Sequence, residues 1–106
     1  MQQTVSETAV VLSSAQVLLL PSGQAIPVPA RGLRIGRMDD NDLVIEGSKV
    51  SRYHAVIAEL ANGFAVNDLR STNGTLVGGE RVLDSHFLRD GDVIRIGGTE
   101  MVFQIG

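Results

Sequence analysis

Hydrophobic and polar positions along this 106-residue chain alternate in short runs of period two, broken by turn-forming residues. No window of helical length carries apolar residues at spacings of three and four, so the pattern predicts strands. Residues 15–20 are apolar and β-compatible, and Pro21-Ser22-Gly23 ends them in a turn. Residues 24–28 predict a short strand that Pro27 and Pro29 confine to an edge or a bulge. Leu33-Arg34-Ile35 alternates into Gly36-Arg37, residues 38–42 read as a loop, and Leu43-Val44-Ile45 reads as a short buried strand. Residues 55–60 form the next strand, Asn62-Gly63 signals a hairpin, and residues 64–67 alternate as the returning strand. A polar loop over 68–74 leads to a small hairpin about Gly78-Gly79. Asp90-Gly91 makes another turn before Val93 to Ile96, where Val93 and Arg95 share one face and Ile94 and Ile96 the other. Gly97-Gly98 then turns the chain into a last strand over 99–105. Short strands at close spacing with glycine turns imply an all-β sandwich or barrel over residues 15–106. Residues 1–14 are polar apart from a small apolar patch at 9–12 and read as a flexible N-terminal tail.

Composition narrows the function classes. The net charge is −3, and only 4% of residues are aromatic. A duplex-binding domain needs a basic face and a single-strand binder needs stacking platforms, so nucleic acid is not expected as a partner. The absence of cysteine removes disulfides, Cys-containing zinc sites and thiol catalysis, and fits a cytoplasmic location. No apolar run approaches the ~20 residues of a spanning helix, so no membrane association is expected. The basic residues nonetheless bunch: Arg31, Arg34, Arg37, Lys49 and Arg52 lie close together, enough for one phosphate.

The candidate chemistry begins at Ser51-Arg52-Tyr53-His54, where a strand enters from a loop. Ser donates one hydroxyl bond, and Arg presents a planar fork that matches phosphate oxygens. On these residues alone, a phosphate site and a polar strand start with a solvated Arg both stand. The rest of the order decides. Gly36-Arg37, Asn41-Asp42, Val50-Ser51-Arg52 with His54-Ala55, and Asn67-Asp68-Leu69 with Ser71-Thr72-Asn73-Gly74-Thr75 follow one another, then Leu88, Gly91-Asp92, Ile94 and Ile96-Gly97. Each piece is weak alone. The ordered set with its spacings resembles the forkhead-associated (FHA) domain family across about residues 15–106.

That resemblance implies an FHA/SMAD-like β-sandwich of about eleven mostly antiparallel strands. Loops at one end would bind phosphothreonine in a partner protein, the product of a Ser/Thr kinase, in kinase signalling. A phosphothreonine brings about −1.5 to −2 charges and three acceptor oxygens. The resemblance gives Arg37 a reach to the phosphopeptide, Ser51 and Arg52 contacts to phosphate, Thr72 a contact from the next loop, and Asn73 the peptide backbone. Gly36, His54, Asn67, Asp68 and Gly74 would support the loops rather than touch ligand. Lys49, two residues before Ser51, would share its direction in an extended segment and either face an acidic residue about three positions after the phosphothreonine or stay solvated. Thr4, with Glu7 three residues later, would fit the same preference, so the tail either holds an internal ligand or is a leader without a role.

Readings from other classes have less support in the residues. Asp39-Asp40-Asn41-Asp42 lacks the glycine and the distant glutamate of a calcium loop, so no metal is expected. No phosphate-loop or dinucleotide motif is present, and no cofactor is expected. Ser51 and His54 lack an orienting third group and an oxyanion hole, so no catalytic residue is assigned and an enzyme is not expected. A scaffold binding through its sheet faces would tolerate loss of Arg37, Ser51 and Asn73, and all of them are present.

Overall fold

A computed structural model describes residues 15–106. The tail over 1–14, with Thr4, lies outside the described residues. The described residues hold no helix and eleven strands: β1 (Ala15–Leu20), β2 (Ala25–Pro27), β3 (Leu33–Gly36), β4 (Leu43–Val44), β5 (Ala55–Leu60), β6 (Gly63–Asp68), β7 (Thr75–Val77), β8 (Glu80–Arg81), β9 (Ser85–Leu88), β10 (Val93–Ile96) and β11 (Thr99–Ile105). They form a six-stranded sheet, in order β2-β1-β11-β10-β7-β8, and a five-stranded sheet, in order β4-β3-β5-β6-β9. Every pair is antiparallel except β3 with β4. The turn pattern left a sandwich or a barrel open, and the two sheets make it the sandwich that the resemblance implied.

The core lies between the sheets. Val17, Ile94, Ile96, Met101 and Phe103 face it from one side, and Leu33, Ile35, Ile57, Phe64, Val66 and Leu88 from the other. The Phe64 and Phe103 rings meet at a centroid distance of 5.4 Å and tilt by 55°, an edge-inclined contact of the kind aromatic pairs prefer. Alternation predicted for β10 is observed: Ile94 and Ile96 are buried, while Val93 and Arg95 face out. β2 takes the sheet edge to which its prolines confined it.

Three local expectations are corrected, and one strand has no counterpart in the sequence reading. β4 is not a fully buried strand. It is an edge pair in which Leu43 turns inward and Val44 is 41% exposed, because nothing covers its outer face. The β5–β6 hairpin pairs Leu60 with Gly63, so its turn is Ala61 and Asn62, one residue earlier than the Asn62-Gly63 signal. β6 does not alternate in burial. Ala65 stands in register with Ala58 and Phe87 on the outer face, and its small side chain is shielded there. β9 shows no sequence signal, because three of its four residues are exposed along a sheet edge.

Candidate functional site

One end of the sandwich carries three loops, residues 37–42, 45–54 and 69–74, tied to each other by backbone bonds. Arg37 N–H donates to Ser51 O (3.0 Å), Met38 N–H to Arg52 O (3.2 Å), His54 N–H to Ile35 O (2.9 Å) and Leu69 N–H to His54 O (2.9 Å). Asn41 is buried and adds a side-chain bridge, its Nδ2 donating to Met38 O and to Arg52 O, each at 2.9 Å. Gly36 sits at the crossing of the first two loops. A Cβ there would lie 2.2 Å from Arg52 O and 2.8 Å from Asn41 Nδ2. The glycine is therefore required by a close approach of backbone to backbone.

His54 is fully buried and joins the second loop to the third. Its Nδ1 accepts the Ser51 N–H (3.0 Å), and its Nε2 lies 2.9 Å from Gly74 O. A carbonyl only accepts, so these partners assign the neutral tautomer with the proton on Nε2. Gly74 turns at φ +88°, and its N–H donates to Ser71 Oγ (2.9 Å). Ser71 Oγ in turn donates to Asp68 Oδ1 (2.6 Å), Thr75 Oγ1 donates to the same oxygen (2.8 Å), and Ser71 N–H donates to Asp68 Oδ2 (3.0 Å). Asp68 and Gly74 thus hold the third loop. Asn67 does not join them: it lies within β6 in register with Val56 and Ser85, and among the described residues it makes no side-chain hydrogen bond.

Burial pushes the Asp68 carboxyl up, but the Ser71 and Thr75 hydroxyls and the Ser71 N–H outweigh it and hold the group below the usual carboxylate range. Asp42 is held lower still, first by the Arg31 fork, at 3.0 and 2.6 Å, and by the backbone and side chain of Arg34. A depressed folded value contributes stability that is present above the unfolded carboxylate value of ~3.9 and is lost as pH falls through the folded value. Urea midpoints are therefore expected to hold from neutral pH to about pH 5 and to fall below about pH 4. Asp68→Asn should flatten part of that fall. An unchanged acid slope in Asp68→Asn would remove Asp68 as a contributor.

Over this frame lies an open cleft of about 520 Å³. Arg37, Ser51, Arg52, Thr72 and Asn73, all singled out from the sequence, line it together. Ser48, Val50, Tyr53 and Leu69 line it as well, and sequence reasoning gave them no place in the site. Exposed Tyr53 and Leu69 stand inside the quoted motifs, as large side chains in loops rather than on a strand's inward face. Among the described residues, no Asp or Glu lines the cleft. Arg37 Nε donates to Val50 O (3.0 Å), which aims the guanidinium, and among the described residues its terminal nitrogens make no hydrogen bond. Ser51 Oγ accepts the Thr72 N–H (3.1 Å), which leaves the hydroxyl proton to donate. Asn73 Nδ2 reaches Lys49 O at 3.4 Å, a long bond that spends one amide hydrogen and leaves the side-chain carbonyl open.

Lys49 does not share the cleft. Val50 N–H donates to Gly47 O (3.2 Å), so residues 47–50 turn instead of extending, and Lys49 lines a neighbouring cleft with Asn73. The expectation that Lys49 and Ser51 point the same way fails for that reason.

The comparisons agree with this architecture. The FHA domain family model matches residues 33–97. The transcriptional regulatory protein EmbR of Mycobacterium tuberculosis is 46% identical over 86 residues, which are 81% of this chain and 22% of that protein. The chain therefore spans about a fifth of the length of that relative. The structure of M. tuberculosis EmbR in complex with a low-affinity phosphopeptide superposes with a TM-score of 0.85 at 44% identity, covering 89% of this chain and 25% of that one. The FhaA FHA domain, solved in complex with the intracellular domain of Rv3910, gives 0.79 at 34% identity, covering 86% of this chain and all of that one. With the family model spanning more than half of the chain, on two sheets whose end loops gather the motif residues, this chain belongs to the FHA domain family.

Proposed function

We propose that this domain is a phosphothreonine-dependent protein interaction module that takes phosphorylated peptides, the products of a Ser/Thr kinase, into the end-loop cleft. It acts in kinase signalling, in the cytoplasm, as a reader rather than an enzyme. One observation carries the reading. The cleft brings an aimed Arg37 fork and a Ser51 hydroxyl with its proton unspent onto a surface that, among the described residues, is lined by no carboxylate. Such donors match a dianion with three acceptor oxygens. Arg52 adds a second cation, and Thr72 lines the cleft and holds Ser51 through its N–H. The EmbR structure, which holds a phosphopeptide, supports the assignment by likeness. Residues 15–106 form the binding unit, and the 1–14 tail with Thr4 is left to a separate test of self-binding.

Titration against one peptide in phosphothreonine, phosphoserine and unphosphorylated forms tests the proposal. Binding of the first above the others is expected, with the peptide recovered intact. Equal affinity for phosphorylated and unphosphorylated forms would overturn it.

Asn73 is assigned to the peptide backbone, not to phosphate. Asn73→Ala is expected to weaken peptide binding by about threefold to tenfold, the size of an ordinary hydrogen bond. Weak competition by free phosphate should stay unchanged. A thermal melt run beside the titration separates lost contact from lost fold.

A further inference from the structure

Directly paired residues share a sheet face, so the register gives the outer face of the six-stranded sheet row by row. In the row nearer the end loops, Leu20 pairs with Glu100, Glu100 with Arg95 and Arg95 with Leu76, across β1, β11, β10 and β7. In the next row, Ala25, Leu18, Val102 and Val93 stand side by side across β2, β1, β11 and β10. Beyond them Gln16 pairs with Gln104, its Nε2 donating to Gln104 Oε1 at 2.8 Å. The face is thus an apolar stripe with a charged rim on one side and an amide rim on the other. Leu20 and Val93 are 38% and 37% exposed. An unbroken apolar stripe between polar rims has the anatomy of a docking surface.

The charged rim identifies the occupant. Arg95 and Glu100 are register partners, yet among the described residues neither is in an ion pair. Across β1, β11, β10 and β7 their row runs apolar, acid, base, apolar, which is symmetric about the line between β11 and β10. A second copy given half a turn about that line lays the same row over this one in reverse. Arg95 then meets the partner's Glu100, Glu100 meets the partner's Arg95, and Leu20 meets the partner's Leu76. In the stripe, Val102 meets the partner's Val93. Leu18 meets the partner's Gly78, which continues the register beside Val93, its N–H donating to Val93 O at 2.9 Å. An added Cβ on Gly78 would have nothing within 4 Å, so there is room for the leucine. A two-fold contact must be complementary to itself, and this face is.

We propose that the outer face of the six-stranded sheet is a self-association surface, covered by a second copy of this chain in two-fold symmetry. Sheets packed face to face lie ~10 Å apart, a gap that an arginine and a glutamate close from opposite sides. The stripe spans three strand spacings, ~14 Å, which is a small contact, so the dimer is reversible and depends on concentration. The axis runs along the strands, so the end-loop clefts of both copies open in the same direction. The dimer stands without the phosphothreonine reading. Joined to that reading, it is a bivalent reader that holds two phosphorylated sites of one partner at once.

Sedimentation velocity of the full chain, from micromolar to millimolar concentration, tests the proposal. The sedimentation coefficient is expected to rise with concentration toward that of a dimer. Arg95→Glu and Glu100→Arg, each alone, set like charges against each other and are expected to weaken dimerisation by roughly tenfold or more. Mixed in equal amounts, the two variants should form dimers again, because each offers the other the opposite sign. The chain that carries both substitutions should dimerise by itself, and it keeps the test open should a single reversal fail to fold. Val102→Glu, in the middle of the stripe, should hold the chain monomeric and leave affinity for a singly phosphorylated peptide unchanged. A chain that stays monomeric at millimolar concentration overturns the proposal and leaves the face to a different partner. Dimers that survive Val102→Glu, or charge variants that do not recover on mixing, place the contact elsewhere and overturn it too. Sedimentation needs no peptide, so failure of phosphopeptide binding would overturn the phosphothreonine reading and not the dimer.

Discussion

Arg37→Ala is expected to lower affinity for a phosphothreonine peptide by roughly tenfold to more than a hundredfold, with the fold intact. The magnitude follows from a charge-assisted hydrogen bond of about 1.5–3 kcal/mol and ~1.4 kcal/mol per decade of affinity. Three features of Arg37 place it at the high end. Its Nε is already committed to Val50 O, so little side-chain freedom remains to be lost on binding. Among the described residues, its terminal nitrogens are unbonded, and no acid lines the cleft to compete for them. The same geometry predicts that Arg37→Lys recovers only part of the loss, since an ammonium keeps the charge but has neither the fork nor the Nε anchor. Arg31→Ala is the control: that guanidinium is committed to Asp42 and does not line the cleft. Calorimetric titration of the three variants against one peptide, with melts alongside, measures the effect. An Arg37→Ala affinity within twofold of the parent would remove Arg37 from the phosphate.

The ordered motifs were legible because the chemistry lies in short loops whose residues are adjacent in the chain. Arg37, Ser51, Arg52, Thr72 and Asn73 are gathered by three such loops. What the sequence could not show is how the loops press on each other. Gly36 reads as a turn glycine. Its actual constraint is Arg52 O, a tertiary neighbour 16 positions away in the chain. Lys49 was set beside Ser51 by assuming an extended segment, and the bond from Val50 N–H to Gly47 O breaks that assumption. Arg95 reads only as an outward residue of β10, and its place at a cleft depends on Leu76 and Asn73 arriving from elsewhere. The strand map follows the same logic. β10, with one face buried and one exposed, alternates and is legible in the sequence. β9 lies at an edge with three of four residues exposed, and left no pattern to find.

His54→Ala is expected to destabilise the domain by about 3–5 kcal/mol. Each buried polar group deprived of its partner costs about 1–3 kcal/mol, and this substitution strips two, Ser51 N–H and Gly74 O. Removing a fully buried ring also leaves a cavity. Water reaches Ser51, which is part-exposed, more readily than Gly74, which is buried, so the Gly74 carbonyl carries the larger share of the penalty. His54→Phe separates the contributions: it refills most of the volume but restores neither hydrogen bond. If packing dominates, His54→Phe should approach the parent in urea midpoint; if the bonds dominate, it should stay near His54→Ala. The bonds are expected to dominate, because they tie Ser51 to Gly74, both of which lie beyond the β5–β6 ladder that ends at Ala55 and Asp68. His54 therefore sets Ser51 of one loop against Gly74 of the next, and with it the spacing between the phosphate donors and Asn73. Peptide affinity measured well below the unfolding midpoint should fall in both variants, by a similar factor. A stability loss under about 1 kcal/mol, or full affinity in His54→Phe, would show that the ring merely fills space and that the loops hold their spacing without it.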